Sequence, residues 1–281
     1  MTSREIILKT MDLPAVPFVA AKIIQLIDNP TTSLEDLQKS IMADQGMTSR
    51  ILKIANSSFY GVRQNIDTLT EALSILGLKV TRLIVLAAAT RGIYKNFGPT
   101  EQNLWEHSLG VSIAAGIVAS EVEVIKREEA VVAGLLHDIG KVVINNNSPK
   151  KFGEIIKKIE ETSLRSINVE EEVLGFKHTE AGYLLGKKWG FPDALCEAIL
   201  NHHSPDTQNF EYPEPYYAAL AGTIALSDAI CVRLGVGYMK PMPEINLGVE
   251  KWIKNLGISE TRLEEIVGTF KERYIIEKMT Y

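Results

Sequence analysis

His137 and Asp138 stand side by side near the end of the apolar run "GLLHDIGK", residues 134–141. The chain holds five histidines, His107, His137, His178, His202 and His203, and none falls in the first 100 residues. Asp228 interrupts the otherwise apolar stretch "AALAGTIALSDAICV". A carboxylate in such a run is desolvated at large cost unless a cation or strong hydrogen bonds offset it. Imidazole nitrogens and carboxylate oxygens together suit a divalent transition metal. Iron or manganese is expected over zinc, because no thiolate accompanies them. Taken singly, each residue has an ordinary explanation: a core or surface histidine at His107, a helix start at His178, a helix end favoured by the dipole at His202 and His203. One metal centre accounts for all of them together.

The elements that must position these residues read as helices. Successive members of the set are separated by 30, 41, 24 and 26 positions from His107 through His137, His178 and His202 to Asp228, so each comes from a different helix. Facing helices of a bundle converge such ligands. Adjacent residues on one helix point about 100° apart, so His137 and Asp138 cannot both aim down one axis, but they can serve neighbouring ions with the carboxylate bridging.

In the first half, apolar residues recur at helical spacing over Val16 to Ile27, and Asn29-Pro30 stops the run. Ser33-Leu34-Glu35-Asp36 opens a second helix that ends near Asp44, and Met47, Ile51, Leu52 and Ile54 share a face of a third, ending before Tyr60-Gly61. Thr68, three residues before Glu71, starts a short helix that Gly77 closes, and Lys79 to Tyr94 continues as a long apolar one. Gly98-Pro99 marks a boundary between residues 1–98 and 99–281. Beyond it, "TEQNLWEHSLGVSIAAGIVASEV", "REEAVVAGLLHDIGK", "PKKFGEIIKKIEE", "HTEAGYLLGKKWG", "PDALCEAILNHH" and "PYYAALAGTIALSDAICVRLG" carry the same period, and Ser259 to Met279 forms a weaker amphipathic tail. No alternating run argues for a sheet. The expected fold is all-α.

Composition narrows the function classes. Of 281 residues, 46% are hydrophobic, enough for a sizeable core. The net charge of -5 supplies no basic field, so nucleic acid is not an expected partner. The longest unbroken apolar stretch, Leu83 to Ala89, falls far short of the roughly 18 residues of a membrane span. The opening "MTSREIILKTMDLP" lacks the pattern of a secretion signal, and a cytoplasmic location is expected. Cys196 and Cys231, far apart and outside any CxxC, read as reduced core thiols.

His107, His137-Asp138 and Asp228 resemble the H...HD...D pattern of the HD superfamily of metal-dependent phosphohydrolases. The chain from about Leu13 to Leu234 resembles an HDOD domain through "LPAVPFVAAKIIQLIDNP", "ADQGMTSRILKIANSSFYG", "TEALSILGLKVTRLIVLA", "LWEHSLGVSIAAGIVA", "AGLLHDIGKVV", "GFKHTEAGYLLGKKWGFPDALCEAILNHHSPD" and "ALSDAI". That resemblance implies an HD-type helical bundle with an additional amino-terminal helical subdomain packed on it, and a role in bacterial signal transduction. His178, His202 and His203 are similar to the extra histidines of HD-GYP cyclic-dinucleotide phosphodiesterases, which implies two ions. Two departures from those enzymes are "HHSPDTQNF" in place of an HHExxDGxGYP stretch, and Asn103 where three-metal members have Glu.

On this pattern Asp138 bridges, His107, His137 and Asp228 hold one ion, and His178, His202 and His203 hold the other. Two cations about 3.5 to 4 Å apart make a water nucleophilic near neutral pH and clamp a phosphoryl oxygen. Asp138 and Lys141 are the expected catalytic pair, Lys141 reaching a substrate phosphate as a point charge. The resemblance favours a regulatory protein that binds a nucleotide or a signalling partner, the latter through the amino-terminal helices. Ligand completeness favours the alternative, hydrolysis of a nucleotide or another phosphate ester.

Overall fold

The computed structural model describes residues 12–56, 66–94, 97–162, 164–204, 215–237, 240–243, 245, 247 and 256–278. Every regular element among the described residues is a helix. The chain divides into two compact units, residues 15–93 and residues 94–281 together with the first 14.

The smaller unit contains α1 (Phe18–Asp28), α2 (Leu34–Met42), α3 (Gln45–Ala55) and α4 (Leu69–Thr90). Local chemistry sets the starts. Ser33 Oγ accepts the Asp36 N–H at 3.1 Å, and Thr68 Oγ1 accepts the Glu71 N–H at 3.3 Å, each satisfying a donor that a first helical turn leaves unpaired. Gly77, with φ 71° and ψ 166°, splits α4 into two helical pieces, as the sequence predicts. Its second piece ends at Thr90 and a short 3-10 turn follows (Arg91–Ile93), so the helix stops before the expected Tyr94. The expected end of the third helix near Tyr60 lies outside the described residues.

The larger unit contains α5 (Pro99–Val118), α6 (Arg127–Leu136), α7 (Ile139–Asn147), α8 (Pro149–Thr162), α9 (Ser166–Leu174), α10 (His178–Lys188), α11 (Asp193–Asn201), α12 (Pro215–Leu234) and α13 (Glu260–Lys278). Pro99 opens α5, where a missing N–H costs nothing, and Glu101 Oε2 accepts the Gly98 N–H at 3.0 Å. Backbone segments at the beginning of the chain are tied to this unit: Lys188 Nζ and Trp189 Nε1 donate to the carbonyls of Leu13 and Pro14 at 2.5 and 2.9 Å.

Glycine lets the central helices approach. A Cβ on Gly134 of α6 would lie 2.8 Å from the Ser112 Cα of α5, and one on Gly140 of α7 would lie 1.9 Å from the His178 carbonyl oxygen at the start of α10. Such contacts exclude any larger residue and bring the segments around residues 107, 137 and 178 together. Cys196 and Cys231 are free and buried. By length and composition, α4 and α12 are apolar enough to cross a membrane, but 56% of each apolar window is buried inside the protein, α4 is broken at Gly77, and α12 carries Asp228.

Candidate metal centre

All seven histidines and aspartates singled out in the sequence come together in the larger unit. His107 projects from α5, His178 opens α10, His202 caps α11 with His203 following, and Asp228 lies on α12. The run "REEAVVAGLLHDIGK" is not one helix as its period suggests. It breaks at Asp138 (φ -98°, ψ 14°), which becomes the residue before α7, and His137 closes α6. This break gives the two neighbours different directions.

Two groups result. The ligand atoms of Asp138, His178, His202 and His203 lie within 4.8 Å of one another, and so do those of His107, His137 and Asp228. Asp138 links them through its two oxygens. Oδ2 lies 3.6 Å from His107 Nε2 and 3.3 Å from His137 Nε2, whereas Oδ1 lies 3.0 Å from His178 Nε2 and 3.8 Å from His202 Nε2. Across the first group, His107 Nε2 is 3.0 Å from Asp228 Oδ1. His203 is the most open of the five, its side chain 18% exposed and its Nδ1 3.8 Å from Asp228 Oδ2.

Backbone carbonyls fix the tautomers. His107 Nδ1 is 3.0 Å from the Val236 oxygen, His137 Nδ1 2.7 Å from that of Gly134, and His202 Nδ1 2.9 Å from that of Ile199. A carbonyl only accepts, so each Nδ1 carries a proton and each Nε2 is the nitrogen turned to the cluster, with a lone pair there whenever the ring is neutral. At His178 a carboxylate takes the carbonyl's place: Glu170 oxygens lie 2.8 and 2.7 Å from Nδ1. Metal-ligating histidines use this same arrangement.

The residues therefore fit a cation. The Nε2 atoms of His137 and His203 and Oδ1 of Asp138 are buried without a hydrogen-bond partner. Asp138 Oδ1 and His178 Nε2, although 3.0 Å apart, do not meet in hydrogen-bond geometry, so when the imidazole is neutral two lone pairs oppose each other unless positive charge sits between them. Three carboxylates, Asp138, Asp228 and Glu170, face one lysine here. Lys141 Nζ donates to Asp138 Oδ2 at 2.7 Å and the residue is buried.

The titration pattern follows this negative field. Burial works against charge on His107, but the hydrogen bond and charge of Asp228, with Asp138, outweigh it and raise its pKa. Burial likewise opposes charge on His178, yet Glu170 and Asp138 lift it to about 9. His202, buried beside His137 and His178, is pushed down to about 3, and burial together with His202 and His178 lowers His203. Despite burial, Asp138 is held well below the usual carboxylate range by His137, Lys141 and His178, and Asp228 is held down by His107.

Two contributors escaped the sequence reading. Glu170 is 1% exposed and also accepts the His178 backbone N–H at 2.8 Å, so one carboxylate caps α10 and orients its first side chain. It sits in the triplet Glu170-Glu171-Glu172, and nothing in the sequence separates it from its two solvated neighbours. Gly140 was visible inside "HDIGK", but its close approach to His178 was not. Asn103, one turn before His107, lines a cleft beside α8, and the stretch that follows Ser204 lies outside the described residues.

The HDOD domain profile matches residues 13–205. A solved HDOD domain protein of unknown function from Geobacter sulfurreducens superposes with a TM-score of 0.74 at 28% identity, over 98% of this chain and 93% of that one. A structure from Shewanella amazonensis, provisionally called a metal-dependent phosphohydrolase, shares the fold with a TM-score of 0.67 at 17% identity, over 96% of this chain and 98% of that one. Ribonuclease Y of Thermus thermophilus is 33% identical over 129 residues, 46% of this chain. The chain spans 16% of that enzyme's length and 42% of an uncharacterized Treponema pallidum protein that it matches at 22% identity over 77% of itself. With the profile covering more than half of its length and the bundle matching throughout, this chain belongs to the HDOD domain family.

Proposed function

We propose that the chain is a regulatory HDOD protein whose cluster holds two divalent cations, iron or manganese, and binds a phosphate ester, a nucleotide in the first instance. The observation that carries this reading is the placement of Asp138, one oxygen toward each histidine group. His107, His137 and Asp228 would hold one ion, His178, His202 and His203 the other, and Asp138 both. When bound, such a pair supplies Lewis acidity that draws the pKa of water toward neutrality and takes charge from a phosphoryl oxygen. Lys141 stands at the shared carboxylate, where its ammonium adds a fixed positive charge to whatever anion the site receives. Glu170 keeps His178 in one tautomer and orientation. A signalling protein is proposed to dock on residues 15–93, where Phe18 and Met42 are 82% and 60% exposed.

Hydrolysis is the second reading, favoured by the full ligand set with a buried lysine beside it. The separating experiment is elemental analysis of anaerobically purified protein, followed by a turnover screen with the metal retained. Close to two equivalents of metal and no turnover on cyclic dinucleotides, mononucleotides or generic phosphodiesters is the expected result. Steady metal-dependent hydrolysis that vanishes in Asp138→Ala would make the protein an enzyme, and protein that neither carries nor takes up metal would overturn both readings.

A further inference from the structure

A cleft of about 320 Å³ opens between α5, α7 and α8, within the volume range of small-ligand sites. Leu104, Phe152 and Ile156 give it an apolar side, and Asn103 and Asn145 contribute amides. Asn145 is 8% exposed, and its orientation is fixed: Nδ2 donates to Glu101 Oε1 at 2.6 Å, while the other oxygen of Glu101 is held by the Gly98 N–H. That leaves Asn145 Oδ1 as the end of the amide not engaged by Glu101. The charged groups of the cleft, Lys157 and Glu160, belong to its exposed rim.

Register connects this cleft to the metal centre. Asn103 precedes His107 by four residues on α5, and Asn145 follows Lys141 by four on α7, so each amide shares a helix face with a residue of the cluster, about 5 to 6 Å away. We infer that this cleft is a nucleobase subsite, which seats the base of a free mononucleotide whose phosphate lies at the cluster; the assignment rests on the phosphate-binding reading above. Two amides on a partly apolar wall match a flat heterocycle, whose ring packs on the half-buried Ile156 while its edge exchanges hydrogen bonds, the way Asn reads adenine elsewhere. Among the described residues, no cation is buried in the cleft to select a second phosphate. The net charge of -5 likewise disfavours a polyanion over a mononucleotide.

The test is equilibrium binding of AMP, adenosine and ribose 5-phosphate to the full chain with manganese present, together with its metal content. AMP should bind at least tenfold more tightly than ribose 5-phosphate. Ile156→Trp, which fills the cleft, should erase that gain while leaving metal content and ribose 5-phosphate binding unchanged, and Asn103→Ala should reduce the gain at least threefold. Equal affinities for AMP and ribose 5-phosphate, or a gain that survives both substitutions, overturns the subsite while leaving phosphate binding intact. If neither phosphate nor metal binds, the functional reading fails, and adenosine decides alone: binding lost in Ile156→Trp supports the subsite, and no binding to the wild type overturns it. A pentaadenylate that binds no more tightly than AMP assigns the base to a free nucleotide; one that binds tenfold tighter overturns that choice.

Discussion

Gly140 packs so closely on His178 that a single methyl group on its Cα would sit 1.9 Å from the His178 carbonyl oxygen and 2.7 Å from the Gly182 nitrogen. Both obstacles are backbone, so neither can rotate away. The glycine two residues after Asp138 is thus what allows α7 to carry Asp138 against the first residue of α10. Gly140→Ala should destabilise the fold by about 3 kcal/mol or more, since overpacking against a rigid neighbour forces helices apart. It should also lower the content of the His178 group before that of the His107 group. Thermal unfolding with elemental analysis measures both, and an unchanged melting temperature would mean that the α7–α10 contact is looser than described.

Glu170 supports a second expectation. Its carboxylate accepts both N–H groups of His178, from the backbone and from Nδ1. Removing such an outer partner of a ligand histidine costs about 10- to 100-fold in metal affinity. Glu170→Ala should weaken one of two equivalents by that factor and leave the other in place, while Glu170→Gln, which keeps one acceptor, should fall between. Competition with a chelator resolves the two equivalents, and an equal loss from both would assign Glu170 to the general stability of the bundle.

Much of this was readable in the chain itself. Five histidines confined to one half, and an aspartate inside an apolar helix, marked the site because polar groups in such places need a reason. Ser33, Thr68 and Gly77 signalled helix ends through chemistry that is local, and local chemistry survives in sequence. The break at Asp138 did not, because "REEAVVAGLLHDIGK" has an unbroken helical period and the close packing of α7 on α10 that accompanies the turn is a tertiary contact. Glu170 stayed hidden for the same reason, since what separates it from Glu171 is the neighbour it meets across 8 positions of chain. Tertiary partners of this kind leave no periodicity to read.

The two aspartates should differ. Asp228 belongs to the His107 group, with its Oδ1 3.0 Å from His107 Nε2 and 4.0 Å from His137 Nε2, and approaches the other group only through Oδ2, 3.8 Å from His203 Nδ1, whereas Asp138 lies 3.3 Å from His137 and 3.0 Å from His178. Asp228→Ala is expected to empty one position and preserve the fold, because the substitution also removes a group that is costly to bury without its counter-charge. Asp138→Ala should remove both equivalents. Metal counts of one and zero, set beside a far-ultraviolet spectrum like that of the wild type, are the predicted outcome; full occupancy in Asp228→Ala would reassign this carboxylate to a hydrogen bond with His107.

Protons and cations compete for the same nitrogens, and the sign of the competition is fixed by the carboxylates. His178 titrates at about 9, so near neutral pH it carries a proton on the Nε2 that a cation must occupy, and the carboxylates shift His107 in the same direction. Metal uptake should then release a proton from the His178 group, and affinity for that ion should climb by up to roughly tenfold per pH unit, from about pH 6.5 to about 8.5. Stability of the cation-free chain runs the other way. The folded-state pKa of His178 lies above its unfolded value, so its contribution is complete below about pH 6.5 and is lost as pH rises through about 9. Added manganese should therefore raise the melting temperature more at pH 8.5 than at pH 6.5. Calorimetric titration in two buffers of different ionisation enthalpy counts the released protons directly; affinity that stays flat across this range, with no proton release, would show that His178 does not ligate the ion.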